Sequence, residues 1–192
     1  MPVLACRARG ASSMLPPGRL AMSGVDAYRG TLAESVVFEH LTPAELDLVM
    51  RSCRLIDAQP GELLLSEGAR GDGLYVILDG EVESFLPERA VGHLRRPSRM
   101  RLSVLGLGRC FGEYGVIDDR TSSASVQALR PSRFCFLPTA EFRRLTEAND
   151  RIGKVVYANL LRFLVSRLRS KDKELDLVLF VDEPTRVPPS AR

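Results

Sequence analysis

Residues 106–126 are the segment whose residue types and spacing could do chemistry. The segment centres on Phe111-Gly112-Glu113, and apolar residues follow at helical spacing. This order predicts a glycine-rich approach that opens a single helical turn, whose free N–H groups and positive dipole end suit an anion. The alternative is a plain connection across the mouth of a β-barrel, which would not need Glu113 beside Gly112. The segment therefore indicates an anion-binding site.

No other group of residues is spaced for catalysis or metal binding. The cysteines and histidines are scattered, without a Cys-x-x-Cys pair: Cys6, Cys53, Cys110, Cys135, His40 and His93. This argues against structural zinc. Glu113 has no second carboxylate or histidine at a plausible spacing, and no Ser-His-Asp or Cys-His arrangement is present. We therefore predict a protein that is not an enzyme and carries no metal ion or cofactor, with reduced and mostly buried thiols.

The charges are distributed unevenly along the chain. Residues 1–30 contain four arginines and one aspartate, so they account for the whole net charge of +3, and residues 31–192 carry 23 basic and 23 acidic groups. A neutral body argues against a surface for nucleic acid. The basic cluster of Arg95, Arg96, Arg99 and Arg101 is interpreted as a solvated loop.

The ends of the chain predict tails. Residues 1–30 lack the continuous apolar stretch of a secretory signal, and we interpret them as a disordered tail or as the product of a start codon placed too far upstream. Residues 31–176 form the predicted domain, and residues 177–192 a second tail. The most apolar stretch, residues 155–168, contains Arg162 and Arg167, so no membrane span is expected. A cytoplasmic location is expected.

The elements that must position the site are mainly β-strands. Glycine, proline and aspartate separate seven short apolar stretches: 54–59, 62–66, 74–78, 81–86, 100–105, 125–129 and 133–137. Strands this short and evenly spaced predict a sandwich or barrel. A helix is predicted to precede them, with Thr42 as its N-cap, Pro43 in its first turn and Glu45 completing a capping box. Thr139 is expected to cap a short helix that follows them.

A long helix is predicted over residues 151–175, with two apolar faces. The first face contains Ile152, Val156, Leu160 and Phe163. The second contains Tyr157, Leu161, Leu164, Leu168 and Leu175. The first face would pack on the barrel, and the second, at near-heptad spacing, would bind a partner helix. The alternative is one broad buried stripe.

The chain resembles the cyclic nucleotide-binding domain family, which includes bacterial catabolite-activator-type regulators and regulatory subunits of cyclic-AMP-dependent kinase. The resemblance covers about residues 32–175. It depends on a glycine frame in Pro60-Gly61-Glu62 and in residues 67–82, and on the segment that begins at Phe111. It implies a mainly β fold, a jelly-roll-like β-roll with short N-terminal helices and a long C-terminal helix.

The resemblance also implies a ligand site. In the family, Phe-Gly-Glu and eight further residues precede Arg-Ala-Ala or Arg-Ser-Ala; the glutamate accepts a hydrogen bond from the ribose 2′-hydroxyl, and the arginine pairs with the cyclic phosphate. The implied ligand-binding residues are Phe111, Gly112, Glu113, Tyr114, Arg120, Ser122, Ser123 and Ala124. Ser122 stands at the arginine position. Losing one partner of a desolvated charge pair costs about 2–5 kcal/mol.

Three compensations for Ser122 are open. Arg120 could turn into the site, the serine hydroxyls and the helix N-terminus could suffice for weak binding, or the ligand is not a cyclic nucleotide. The leading hypothesis is a ligand-sensing module that binds cAMP or cGMP weakly and signals through residues 151–175. The alternative is a degenerate domain that serves as an interaction or dimerisation scaffold. Only 17 residues follow Leu175, too few for a helix-turn-helix, so direct DNA binding is not expected.

Overall fold

A computed structural model describes residues 24–91 and 94–181. The first elements are helical: a 3-10 turn at Val25–Tyr28, α1 at Arg29–Ala33 and α2 at Pro43–Ser52. The capping box of α2 is confirmed. The Thr42 hydroxyl accepts from the Glu45 N–H, and Glu45 Oε2 accepts from the Thr42 N–H at 2.7 Å, so two free donors of the first turn are satisfied.

Ten strands follow, and the β-roll class is confirmed. Their bounds are β1 Arg54–Ala58, β2 Leu63–Leu65, β3 Gly73–Asp79, β4 Val82–Leu86, β5 Arg89–Val91, β6 Leu94–Arg96, β7 Met100–Leu105, β8 Cys110–Phe111, β9 Ser125–Ala128 and β10 Ser132–Pro138. One antiparallel sheet has the order β1-β10-β3-β8 and the other β2-β9-β4-β7, while β5 and β6 form a separate hairpin. All seven predicted strands are present. The hairpin and β8 were not predicted.

Strand β3 separates two hydrophobic cores, because alternate side chains leave a strand on opposite faces. Leu74, Val76 and Leu78 pack among the helices, whereas Tyr75 and Ile77 point between the sheets. Between the sheets, the ring of Tyr75 stacks on that of Phe111 at 4.7 Å between centroids. This aromatic contact holds β8 at the edge of the first sheet and so places the residues that follow Phe111.

The other helices of the described residues are α3 at Glu113–Asp118, between β8 and β9, and α4 at Thr139–Ala148 and α5 at Asp150–Val181, after β10. The predicted Thr139 cap is wrong, because Pro138 occupies the N-cap and the Thr139 hydroxyl is buried without a hydrogen-bond partner. The register of β10 against β3 extends to Pro138 and Gly73, so the strand runs directly into the helix and leaves no position for a free capping side chain.

The two apolar faces of α5 have different environments. Ile152, Val156, Leu160 and Phe163 are buried in the core shared with the other helices. On the second face, Leu161, Leu168 and Leu175 are each about 60% exposed. Leu164, predicted on the same face, is half-buried. A single broad buried stripe is therefore wrong, and the prediction of two distinct faces is correct for the described part of this helix, with Leu164 less exposed than the other members.

The arginine cluster is not a solvated loop. Arg96 Nη1 donates to Glu67 Oε2 at 2.8 Å, and Arg101 Nε donates to Glu83 Oε2 at 2.7 Å. Arg99 also pairs with Glu83 and covers the ring of Phe85. The arginine hydrogen bonds hold the pKa of both carboxyls below the ordinary value. The prediction failed because these partners are distant in sequence: Glu67 lies in the turn after β2, and Glu83 lies in β4. Arg95 lies in β6.

The boundaries of the domain also differ from those predicted. Residues 25–30 are helical rather than part of a tail, and α5 extends to Val181. The rest of both predicted tails, residues 1–23 and 182–192, lies outside the described residues. No helix in the described ranges has a stretch both long and apolar enough to cross a bilayer. The described cysteines, Cys53, Cys110 and Cys135, are free thiols.

Candidate functional site

The site is built at the turn between β8 and α3. Gly112 adopts φ +83°, and a Cβ atom there would lie 2.4 Å from the carbonyl oxygen of Gly73. A side chain would therefore collide with the backbone of β3 and also strain the dihedral angle. Gly112 lets the chain leave the sheet at this angle, and Glu113 then begins α3 with its side chain turned inwards.

A cavity of about 260 Å³ lies between the second sheet, α3 and α5. Seven of the eight predicted site residues line it: Phe111, Gly112, Glu113, Tyr114, Ser122, Ser123 and Ala124. The eighth, Arg120, does not. Its side chain is 85% exposed and lies 3.9 Å from the Asp118 carboxylate, and its backbone N–H donates to the same group. In this structure Arg120 does not compensate for Ser122.

Glu113 is the buried acid of this cavity. Its side chain is only 4% exposed, and Oε1 accepts a hydrogen bond from Arg167 Nη1 at 2.6 Å. Burial raises the pKa of the Glu113 carboxyl above its ordinary value, and the positive charge of Arg167 opposes that rise. The carboxylate therefore has a cation, but one supplied by α5 rather than by the segment around Ser122.

Lys171, one turn beyond Arg167, also lines the cavity. Its ammonium donates to the carbonyl oxygen of Leu102 in β7 at 2.8 Å and pairs with Glu174 at 2.6 Å. The two cations thus connect α5 to both sides of the cavity, to α3 through Glu113 and to the second sheet through Leu102.

The sequence predictions did not include Arg167 or Lys171 in the site. The available signal was the spacing of the first apolar face of α5, which continues from Phe163 to Arg167 and Lys171 in steps of four residues. That spacing places both cations on the side of the helix that faces the body. Nothing in the sequence indicates that a cavity lies there.

The arrangement can bind a small polar molecule in a largely apolar pocket. The ion pair of Arg167 with the buried Glu113 lines this pocket, and so do Ser122 and Ser123 with their hydroxyls. Among the described residues, no three histidine, cysteine or carboxylate side chains are grouped as metal ligands. These residues can recognise a ligand through charge and hydrogen bonds.

Known proteins are similar to this chain in sequence. Residues 55–149 match the family model of the cyclic nucleotide-binding domain. The chain is 33% identical over 153 residues to the cyclic AMP receptor protein of Thermus thermophilus, covering 80% of this chain and 66% of that protein. It is 26% identical over 157 residues to a CRP-like cAMP-activated global transcriptional regulator of Mycobacterium tuberculosis, covering 81% and 65%.

Solved structures show the same fold. The crystal structure of the Thermus thermophilus catabolite activator protein aligns with a TM-score of 0.62 at 30% identity, over 76% of this chain and 64% of that one. A cyclic nucleotide-binding domain from Methylobacillus flagellatus aligns with a TM-score of 0.73 at 24% identity, over 92% and 96%. The chain spans about two thirds of the length of the two regulators and 24% of glutaminase 1 from Bradyrhizobium diazoefficiens, which is 28% identical over 155 residues.

Proposed function

Because residues 55–149 form a domain of the cyclic nucleotide-binding family, we propose that this chain is a non-catalytic sensing module that binds cAMP or cGMP in the Glu113 cavity. The relatives that support this assignment are named as a cyclic AMP receptor protein, a cAMP-activated regulator and a cAMP-dependent protein kinase regulatory subunit. They are regulatory proteins, and the proposal extends their kind of ligand to this chain. It places the module in the reducing cytoplasm, in keeping with the free thiols of the described residues.

The observation that carries the proposal is the buried Glu113 in the lining of the cavity. A carboxylate with 4% exposure is costly to bury unless it is paired and hydrogen-bonded. Arg167 uses one of its oxygens, and Oε2 has no side-chain partner among the described residues. A ribose hydroxyl can donate to that second oxygen, which is the role that the family resemblance gives to this residue.

The affinity is expected to be low. The hydroxyl of Ser122 can donate one hydrogen bond to a phosphate, but it carries no charge to replace the guanidinium of the family pattern. An uncompensated loss of about 3 kcal/mol would move a micromolar ligand to the 100 μM range. The binding of cyclic nucleotide should therefore be measured well into that range.

Isothermal titration calorimetry of the purified chain with cAMP and with cGMP tests the proposal. We expect a dissociation constant of about 100 μM or lower for one of the two nucleotides. The 5′-monophosphates, which keep the base and sugar but lack the cyclic ester, are the matched control ligands and should bind at least tenfold more weakly. Flat traces with both cyclic nucleotides up to about 1 mM would contradict the proposal.

The second candidate function is a scaffold with an unused pocket. Two observations favour it: Ser122 at the arginine position and the exposed apolar face of α5 at Tyr157, Leu161, Leu168 and Leu175. An exposed stripe at this spacing is typical of a helix that pairs with another helix. We propose that this face binds a second copy of the chain or another protein, and in the sensing model the same face would transmit the signal.

A further inference from the structure

The face of α5 that packs on the body changes its chemistry along the helix. Ile152, Val156, Leu160 and Phe163 are all at most 6% exposed. The next two positions on the same side are Arg167 and Lys171, and both line the cavity. Residues three or four apart share one face of a helix. The stripe therefore turns from apolar to cationic where α5 crosses the cavity.

Arg167 keeps most of its hydrogen-bonding capacity free. A guanidinium has five N–H donors in a planar fork. In the described residues, Arg167 makes one side-chain hydrogen bond, from Nη1 to Glu113 Oε1. Its side chain is 30% exposed, in contrast with the 4% of Glu113, and it lines the cavity.

The charges at the cavity distinguish Arg167 from its neighbours. Glu113 alone would repel an anion, and Ser122 offers a hydroxyl in place of a cation. Arg167 and Lys171 are the two cationic side chains among the described residues that line the cavity. Lys171 is already engaged with Glu174 and with the Leu102 carbonyl. Arg167 is therefore the cation best able to accept a further anionic partner.

We infer that Arg167 binds the anionic phosphate group of the ligand and replaces, from α5, the arginine that is absent at Ser122. This inference rests on the proposed function and adds to it the residue that binds the negatively charged group of the ligand. The guanidinium keeps its bond to Glu113, which orients it, and donates its free N–H groups to the phosphate oxygens. The ligand class is a nucleoside cyclic monophosphate, a monoanion.

The position of Arg167 has a consequence for signalling. The binding residues around Glu113 and Ser122 belong to the body, whereas Arg167 belongs to α5. A ligand held by both sets of residues favours the arrangement in which α5 covers the cavity. Ligand affinity and the position of α5 are then linked, and each must influence the other by the same factor.

The test compares the wild type with Arg167→Gln and with Arg169→Gln, which removes an exposed arginine two residues away on the same helix. Calorimetry is performed with the nucleotide that the wild type binds and with the corresponding uncharged nucleoside. We expect Arg167→Gln to lower the affinity for the nucleotide at least tenfold and the affinity for the nucleoside less than twofold. Arg169→Gln should leave both unchanged.

Each result decides a separate claim. A wild type that binds the nucleotide while Arg167→Gln binds it equally well overturns this inference and leaves the proposed function standing. If Arg167→Gln lowers the affinities for nucleotide and nucleoside equally, the inference is also overturned, because that result indicates a structural role for Arg167. A wild type that binds no cyclic nucleotide up to about 1 mM overturns the proposed function together with the inference.

A measurement on the wild type covers the case in which the Gln variant fails to fold. The side-chain Nε–H resonance of Arg167, assigned with Arg167→Lys, should shift when the cyclic nucleotide is added and remain in place with the nucleoside. Amide hydrogen exchange should show slower exchange in residues 163–175 with the nucleotide. An unmoved Arg167 resonance in the nucleotide-saturated protein would overturn the inference.

Discussion

At the scale of single residues, Ser122 is the position where this chain departs from the family pattern. Because Ser122 lines the cavity together with Arg167, Ser122→Arg would add a second guanidinium to the cavity lining for a bound phosphate. A charge-assisted hydrogen bond in a partly desolvated pocket is worth about 1.5–3 kcal/mol. We expect the variant to bind cAMP or cGMP at least tenfold more tightly than the wild type in calorimetry.

Thr121→Arg is the matched control for this substitution. It adds the same charge one residue earlier, at an exposed position that does not line the cavity. If both variants bind the nucleotide more tightly than the wild type, the cause is a general attraction between the protein and an anion. Added salt would screen that attraction. Unchanged affinity of Ser122→Arg would mean that the alignment of this segment with the family pattern is incorrect.

At the scale of elements, the start of α5 is tied to the cap of α2. Glu45 Oε2 accepts from the Thr42 N–H at 2.7 Å and also pairs with Arg151 in the first turn of α5. The Arg151 hydrogen bond, followed by those from Thr42, lowers the pKa of the Glu45 carboxyl from 4.5 to about 2. One carboxylate thus connects a helix cap to the helix that covers the cavity.

This arrangement predicts a pH dependence of stability. Between pH 5 and pH 2 the unfolded chain binds a proton at Glu45 and the folded chain does not. The contribution of Glu45 to the free energy of unfolding therefore falls as the pH is lowered. We expect Glu45→Gln to have a lower melting temperature than the wild type at pH 7, with the difference shrinking towards pH 2.

Circular dichroism melts at pH 7, 5 and 3 measure this difference directly. Exposed Glu34, in the turn after α1, supplies the control Glu34→Gln, whose difference from the wild type should stay constant with pH. Glu67 and Glu83 also have pKa values lowered by arginines, so only the difference between variant and wild type isolates Glu45. A difference that is independent of pH would show that Arg151 does not stabilise the ionised carboxyl.

The exposed apolar face of α5 leads us to expect that two copies of the chain associate. Leu161 is 64% exposed in the middle of this face, and an aspartate there would place a charge in any helix pair formed through it. We expect light scattering to give the mass of a dimer for the wild type and of a monomer for Leu161→Asp. Leu177→Asp, at an equally exposed position off the stripe, should remain dimeric. A monomeric wild type would contradict self-association through this face.

At the scale of the whole molecule, α5 contacts three parts of the body with three kinds of interaction. Its first turn pairs with α2, its apolar face fills the helical core, and its cationic turn reaches the cavity between α3 and the second sheet. A ligand that binds in the cavity therefore contacts the element that carries the exposed apolar face. The proposed sensing and the proposed assembly use one helix.

The features that the sequence alone determined are local in the chain. The capping box of Thr42 and Glu45 spans four residues, glycine, proline and aspartate separate the short apolar strands, and apolar residues at helical spacing follow Gly112. Each depends on residues close enough in sequence for their geometry to be read from spacing. The residue pattern of the segment from Phe111 to Ala124, together with its resemblance to the family, likewise predicts a ligand site, and seven of the eight predicted residues line the cavity.

Only the tertiary structure decided which charges meet. Glu113 and Arg167 are 54 residues apart in the chain, and Arg101 reaches Glu83 across paired strands. An arginine side chain is compatible with many partners in the sequence, and the choice among them depends on how α5 crosses the body and how β4 pairs with β7. Contacts between residues distant in sequence follow from the packing of helices and strands. The spacing of residues along the chain does not determine that packing.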